Sequence, residues 1–203
     1  IFSGNDQEIV QRFAPFIAHA NGIVLLIDPM QFENVSSVNQ GGQVLSIPAT
    51  ALNTINTIIS HGEINKKCEV PVAICISKID TENVQNVLNQ NLREMLLNDV
   101  QAVMGDNGFA KTEFNAKDYN PIAKDLNDFI RNNDMSLAQM LYTNYDEYNF
   151  FAFTALGCDV IDKEGGYYPV GPILPKRIEE PLLWMFNKFG YIGENEPVFD
   201  PKN

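Results

Sequence analysis

Three apolar runs frame this chain. They are Ile23-Val24-Leu25-Leu26-Ile27-Asp28, Ile74-Cys75-Ile76-Ser77-Lys78-Ile79-Asp80 and Phe151-Ala152-Phe153-Thr154-Ala155-Leu156. Each is continuous rather than alternating, and each ends in small or polar residues. A strand buried on both faces reads as an unbroken apolar run, and the carboxyl end of a parallel strand opens onto a ligand crevice. The runs therefore predict strands over residues 23–27, 70–76 and 150–154, with Pro71 tolerated near the start of the second.

Between the strands the apolar spacing changes to three and four. Ile9, Phe13, Phe16, Ile17 and Ala20 predict a helix capped by Asn5 or Asp6, interrupted or kinked at Pro15 and ended by Asn21-Gly22. Pro48 starts a helix with Leu52, Ile55, Ile58 and Ile59 on one face. Residues 82–104 carry the longest pattern, through Val84, Val87, Leu88, Leu92, Met95, Leu96 and Val100. Pro121 opens a helix through Ile122, Leu126, Phe129 and Ile130, and a short one follows over 137–142. The last begins near Arg177, with Pro181 in its first turn and Leu182, Met185, Phe186 and Phe189 as its buried face.

Residues 31–47, 105–120 and 157–175 are polar or rich in Gly and Pro and read as loops. The third is too long for a simple connection and reads as a functional loop. Residues 194–203 read as a loose tail behind a single domain over 1–193. Strands separated by helices predict right-handed βαβ crossovers. The expected fold is α/β, a three-layer parallel sheet with flanking helices.

Composition narrows the function classes. The chain has 203 residues, 45% of them hydrophobic, enough for one packed domain. No apolar run reaches about 18 residues, so no transmembrane helix is expected and no membrane partner. No secretory leader is visible, and the expectation is a cytoplasmic protein. The net charge is −12, from 26 acidic and 14 basic residues. Such a surface repels phosphate backbones and argues against nucleic acid as a partner, while one bound nucleotide depends on local donors. Cys68, Cys75 and Cys158 are odd in number and form no Cys-x-x-Cys, which fits a reducing compartment. His19 and His61 stand far apart without metal-ligand spacing. Neither Gly-x-Ser-x-Gly nor a Cys-His pair supports nucleophilic catalysis. Glu179-Glu180 point about 100° apart on a helix, and Asp125 and Asp128 fall on a polar face, so none reads as an acid–base pair.

Ser77-Lys78-Ile79-Asp80 carries the sharpest chemistry. A carboxylate just past a strand end accepts two hydrogen bonds from guanine, one from the ring N–H and one from the exocyclic amine. Adenine presents a different edge and leaves that carboxylate unpaired, a mismatch that discriminates strongly. The Lys78 stem can lie along the base plane with its ammonium near the ribose. The plain alternative is a strand end followed by a helix capped by Asp80 or Thr81. Thr154-Ala155-Leu156 ends the next strand and is expected beside Ser77 to Asp80, where a backbone N–H can reach the guanine O6. Asp28 is either a crevice residue or part of an ordinary Asp-Pro turn.

Taken together, these segments resemble the C-terminal two-thirds of a P-loop GTPase of the Ras-like and translation-factor-like class. The resemblance is closest to bacterial "double-GTPase" domains. Ser77-Lys78-Ile79-Asp80 resembles the Asn/Thr-Lys-x-Asp base motif, and Thr154-Ala155-Leu156 the Ser-Ala-Lys/Leu motif. Residues 2–6, Phe-Ser-Gly-Asn-Asp, resemble the remains of the Asp-x-x-Gly switch, and residues 175–184 resemble the tail of that group. Ser77 stands where the family usually has Asn, and Ile1 where a switch Asp is expected. The 203 residues contain no Gly-x-x-x-x-Gly-Lys-Ser/Thr phosphate loop.

The resemblance implies a truncated P-loop NTPase-like fold whose phosphate loop is expected upstream. It implies GTP or GDP with Mg²⁺ in the intact chain, and slow hydrolysis at most. Asp80 would read the base, Lys78 would pack on it, Thr154-Ala155 would supply the backbone donor, and Gly4 would be the switch glycine. The sequence alone is expected to be inactive, binding nucleoside weakly. The other expectation is a non-enzymatic module that keeps the fold, has lost the nucleotide and binds a protein partner.

Overall fold

A computed structural model of the chain describes residues 15–29, 32, 46–60, 66–97, 113–163 and 165–202. Gly4, the switch-like segment around it and the start of the first helix lie outside these residues. Three strands form a parallel sheet: β1 (Ile23–Ile27), β2 (Val72–Ile76) and β4 (Tyr148–Ala152), in the order β1-β2-β4. Ile27 is in register with Ile76, and Ile76 with Ala152, so all three strands end at one level. The predicted strands are present; the third lies two residues earlier than expected, and β1 is not buried on both faces as its unbroken apolar run implied, because Val24 and Leu26 are exposed.

The central strand is buried at all five residues because both its faces are covered. Val72, Ile74 and Ile76 meet one core, together with Leu52 of α1 (Ile47–Ile59), Val84 of α2 (Glu82–Val87), and Leu92 and Leu96 of α3 (Gln90–Leu97). Ile122, Leu126 and Ile130 of α4 (Ala116–Asn133) and Leu137 and Leu141 of α5 (Met135–Asn144) complete it. Ala73 and Cys75 meet a second core, with Tyr119 and Ala123 of α4, Phe151, and Trp184 and Met185 of α6 (Glu180–Lys188). The chain is thus a mixed α/β protein whose parallel sheet lies between helices. No helix among the described residues is long and apolar enough to cross a membrane.

Several expectations are corrected. The helix expected over 82–104 breaks at Leu88, whose backbone is extended, and α3 restarts after Asn89, whose Oδ1 accepts from Leu92 N at 2.7 Å. Residues beyond Leu97 lie outside the description until Glu113. The α4 helix begins five residues before Pro121, at an Asn115 cap whose side chain accepts from Asp118 N. In α6 the buried stripe is Pro181, Trp184 and Met185, whereas Leu182 and Phe186 are exposed. At 100° per residue, 181, 184/185 and 188 share a face that 182, 186 and 189 do not.

The segment after Gly193 is not loose. Gly193–Glu194 (β7) pairs with Glu113–Phe114 (β3), Phe199 N donates to Asn120 Oδ1 at 2.7 Å, and Asn149 Nδ2 donates to Phe199 O at 2.8 Å. Val198 and Phe199 pack on the second core. The 157–175 stretch contains an antiparallel hairpin, β5 (Val160–Lys163) and β6 (Gly166–Pro169).

Candidate functional site

The strand ends bring two sequence motifs together. Ser77 follows β2 directly and is laced to β1: its N–H and its hydroxyl both donate to Ile27 O, at 3.0 and 3.1 Å. Ile79 is buried and its N–H donates to Phe153 O, just past β4, at 3.4 Å. The segment Ser77 to Asp80 is therefore fastened to the strands on both sides.

Lys78 adopts a left-handed backbone, φ +57°. That conformation costs a residue with a Cβ about 1–2 kcal/mol, so neighbouring contacts must hold it. Its carbonyl accepts from Thr81 N at 3.1 Å and from Thr81 Oγ1 at 2.9 Å. Its ammonium lies 2.7 Å from Asp28 Oδ2, at the end of β1. Thr81 occupies the N-cap position of α2, but its hydroxyl turns back to Lys78 and makes no side-chain cap bond. Asp80 is half-buried. Its backbone carbonyl accepts from Gln85 Nε2 at 2.9 Å, while its carboxylate takes no hydrogen bond among the described residues. The capping alternative for Asp80 is thus not what the side chain does.

On the other strand end, Thr154 is buried and paired in an antiparallel bridge with Lys176: Thr154 N to Lys176 O at 3.2 Å, Lys176 N to Thr154 O at 3.0 Å. Its Oγ1 accepts from Gly157 N at 3.1 Å. Ala155 is exposed, and its N–H donates to no other group among the described residues. Gly157 has φ +63°, and a Cβ there would lie 1.9 Å from Leu174 O, so only glycine makes this turn.

Two basic residues brace the same end. Lys176 Nζ donates to Leu97 O, and Arg177 Nη2 donates to Met95 O at 2.8 Å, both capping the last turn of α3. Arg177 is buried, has φ +59° and pairs with Glu180 at 2.5 Å. Trp184 is core and no base stacker.

Ser77, Lys78, Asp80, Thr154 and Ala155 therefore lie at one sheet end, where the Asp80 carboxylate and the Ala155 amide take no hydrogen bond among the described residues. Sequence reasoning left Asp28 undecided, although an acid at a strand end is a visible signal. It missed the partners of Lys176 and Arg177 on α3, bonds that span about 80 residues of sequence. A groove of about 400 Å³ lies elsewhere, lined by Asn89, Leu92, Asp125, Asp128 and Phe129 among others, and none of the candidate residues lines it. No group of three or more His, Cys, Asp and Glu positioned for a metal occurs among the described residues. No protein-family model, no curated protein and no solved structure matches the chain.

Proposed function

We propose that this chain carries the base-reading half of a guanine-nucleotide site in a P-loop GTPase-like domain. One observation carries the reading. Two motif-like segments from distant parts of the sequence end adjacent parallel strands at the same level, one offering a carboxylate, the other a backbone N–H. A guanine whose N1–H and N2 amine face Asp80 presents its O6 on the neighbouring side, toward the Thr154-Ala155 turn. Ser77 supports this geometry by lacing β2 to β1, and the Lys78 stem offers an apolar surface to the ring.

The proposal covers recognition of the base. Phosphoryl transfer needs a phosphate clamp, metal ions and a positioned water, and Gly4 and Mg²⁺ belong to that part of the site. GTP or GDP with Mg²⁺ is the ligand set proposed for a chain that includes a phosphate loop, with the cytoplasm as its place of action.

Titration with guanosine and GDP against adenosine and ADP tests the reading. Guanine ligands are expected to bind and adenine ligands not. Asp80→Ala should abolish binding. Asp80→Asn should shift preference to xanthosine, because an amide offers one acceptor and one donor and xanthine carries an oxygen where guanine carries its amine. Equal binding of guanosine and adenosine would refute the proposal.

A second reading, a protein-interaction module without nucleotide, is favoured by the β5–β6 hairpin. Every residue of β5 is exposed, and Tyr167 and Tyr168 of β6 are 77% and 55% exposed. An isolated two-stranded hairpin is marginal in water. Failure to bind any nucleoside would favour this reading.

A further inference from the structure

We propose that Asp28 is a positioning residue of the guanine site, holding the Lys78 side chain as a fixed floor for the purine ring. The inference rests on the guanine-site reading and adds a residue that the motif does not contain. Asp28 follows the last residue of β1, and Lys78 lies two residues beyond β2. The two strand ends are locked by the paired bonds from Ser77 to Ile27 O. From there the left-handed backbone of Lys78 carries its side chain back across β2 to β1, where Asp28 takes the ammonium at 2.7 Å.

Lys78 is thereby fixed at both ends. Thr81 holds its carbonyl through two hydrogen bonds, and Asp28 holds its ammonium. A lysine side chain otherwise samples many rotamers, and ordering it at the moment of binding weakens affinity. Preordered, its four methylenes present one apolar face to a planar ring. The same pairing commits the ammonium to Asp28, so that the stem, rather than the charge, meets the ligand.

Exposure separates this role from a merely structural one. The side chains of Lys78 and Asp28 are 57% and 37% exposed. Exposed ion pairs contribute little to folding, so removing this one should be felt in the ligand and not in the fold.

The experiment is guanosine titration of the 203-residue chain and of Asp28→Asn, Asp28→Glu, Lys78→Met and the Asp28→Asn/Lys78→Met double variant, each with a thermal melt. Asp28→Asn should weaken guanosine roughly three- to tenfold, within the range of coupled neighbours, at an unchanged melting temperature. Asp28→Glu, which keeps the carboxylate, should recover most of the loss. The double variant should bind no more weakly than Lys78→Met alone, because Asp28 acts through Lys78. Wild-type affinity in Asp28→Asn, with Asp80→Ala still abolishing binding, would refute the role of Asp28 and leave the guanine site standing. Additive losses in the double variant would also refute it. Absence of guanosine binding to the unaltered chain would overturn the guanine site and this inference together.

Discussion

Gly157 carries the tightest backbone requirement at the candidate site. Its φ is +63°, its N–H satisfies Thr154 Oγ1, and any Cβ would press on Leu174 O at 1.9 Å. Leu174 N in turn donates to Leu156 O at 2.7 Å, so the clash falls on the residue whose amide shapes the turn. Gly157→Ala is expected to cost about 1–3 kcal/mol and to move the Thr154 and Ala155 amide resonances. Gly193 meets nothing within 4 Å at its Cβ position, and Gly193→Ala should stay within about 0.5 kcal/mol. Urea unfolding of the two variants checks this, and equal costs would refute the strain argument. At this scale the sequence was partly readable. A serine, a lysine and an aspartate after an apolar run announce a strand end with polar chemistry. The left-handed turn at Lys78 was not readable, because lysine gives no local sign of positive φ. Thr81 holds the turn through two hydrogen bonds to the Lys78 carbonyl, and the Asp28 that takes the ammonium is 50 residues away.

At the scale of elements, strands were legible and helix boundaries less so. Burial on both faces imposes a continuous apolar run on β2, whereas in β4 the buried Asn149 interrupts it, so the strand begins two residues before the run does. A helix break needs only one residue, and the apolar spacing across Leu88 and Asn89 continues unbroken through it. The early start of α4 was hidden for another reason. Asn115 and Asp118 supply an N-terminal cap, and Pro121 is accommodated inside the helix, where its missing N–H leaves only the carbonyl of exposed Lys117 to water.

The outer edge of β4, a strand buried throughout, shows how side chains can satisfy a strand border. Phe150 N–H donates to Asn149 Oδ1 at 3.0 Å, and Phe150 O accepts from Tyr119 Oη at 3.0 Å. Two side chains thus take up the outward-facing N–H and C=O of Phe150, where β4 has no neighbouring strand among the described residues. Tyr119→Phe keeps the ring stacked on Phe151 but leaves a buried carbonyl unpaired. The expected loss is about 1–3 kcal/mol by denaturant unfolding, with secondary structure retained. A loss below about 0.5 kcal/mol would mean that the edge is satisfied some other way.

The whole molecule is a sheet held between two cores, and its dependence on pH follows from what those cores contain. Cys75 sits at the centre of β2, and burial pushes its thiol up from 9.0 to about 12. Burial likewise holds Tyr119 well above 10.0, with the Glu180 carboxylate acting in the same direction. In each case the folded chain accommodates the neutral form and penalises the charged one. The unfolded chain ionises these groups at their ordinary values. Between pH 9 and 12 it therefore binds fewer protons than the folded chain, and stability falls as pH rises. The contribution is complete below pH 9 and disappears as pH climbs toward 12. Each such group can steepen the decline by up to about 1.4 kcal/mol per pH unit. Unfolding free energies should be level between pH 7 and 8.5 and drop beyond 9. Cys75→Ala lowers stability at neutral pH by opening a cavity in the second core, yet it should flatten the alkaline slope. A Cys75→Ala chain that declines as steeply as the parent would show that the thiol is not among the groups setting the alkaline limit.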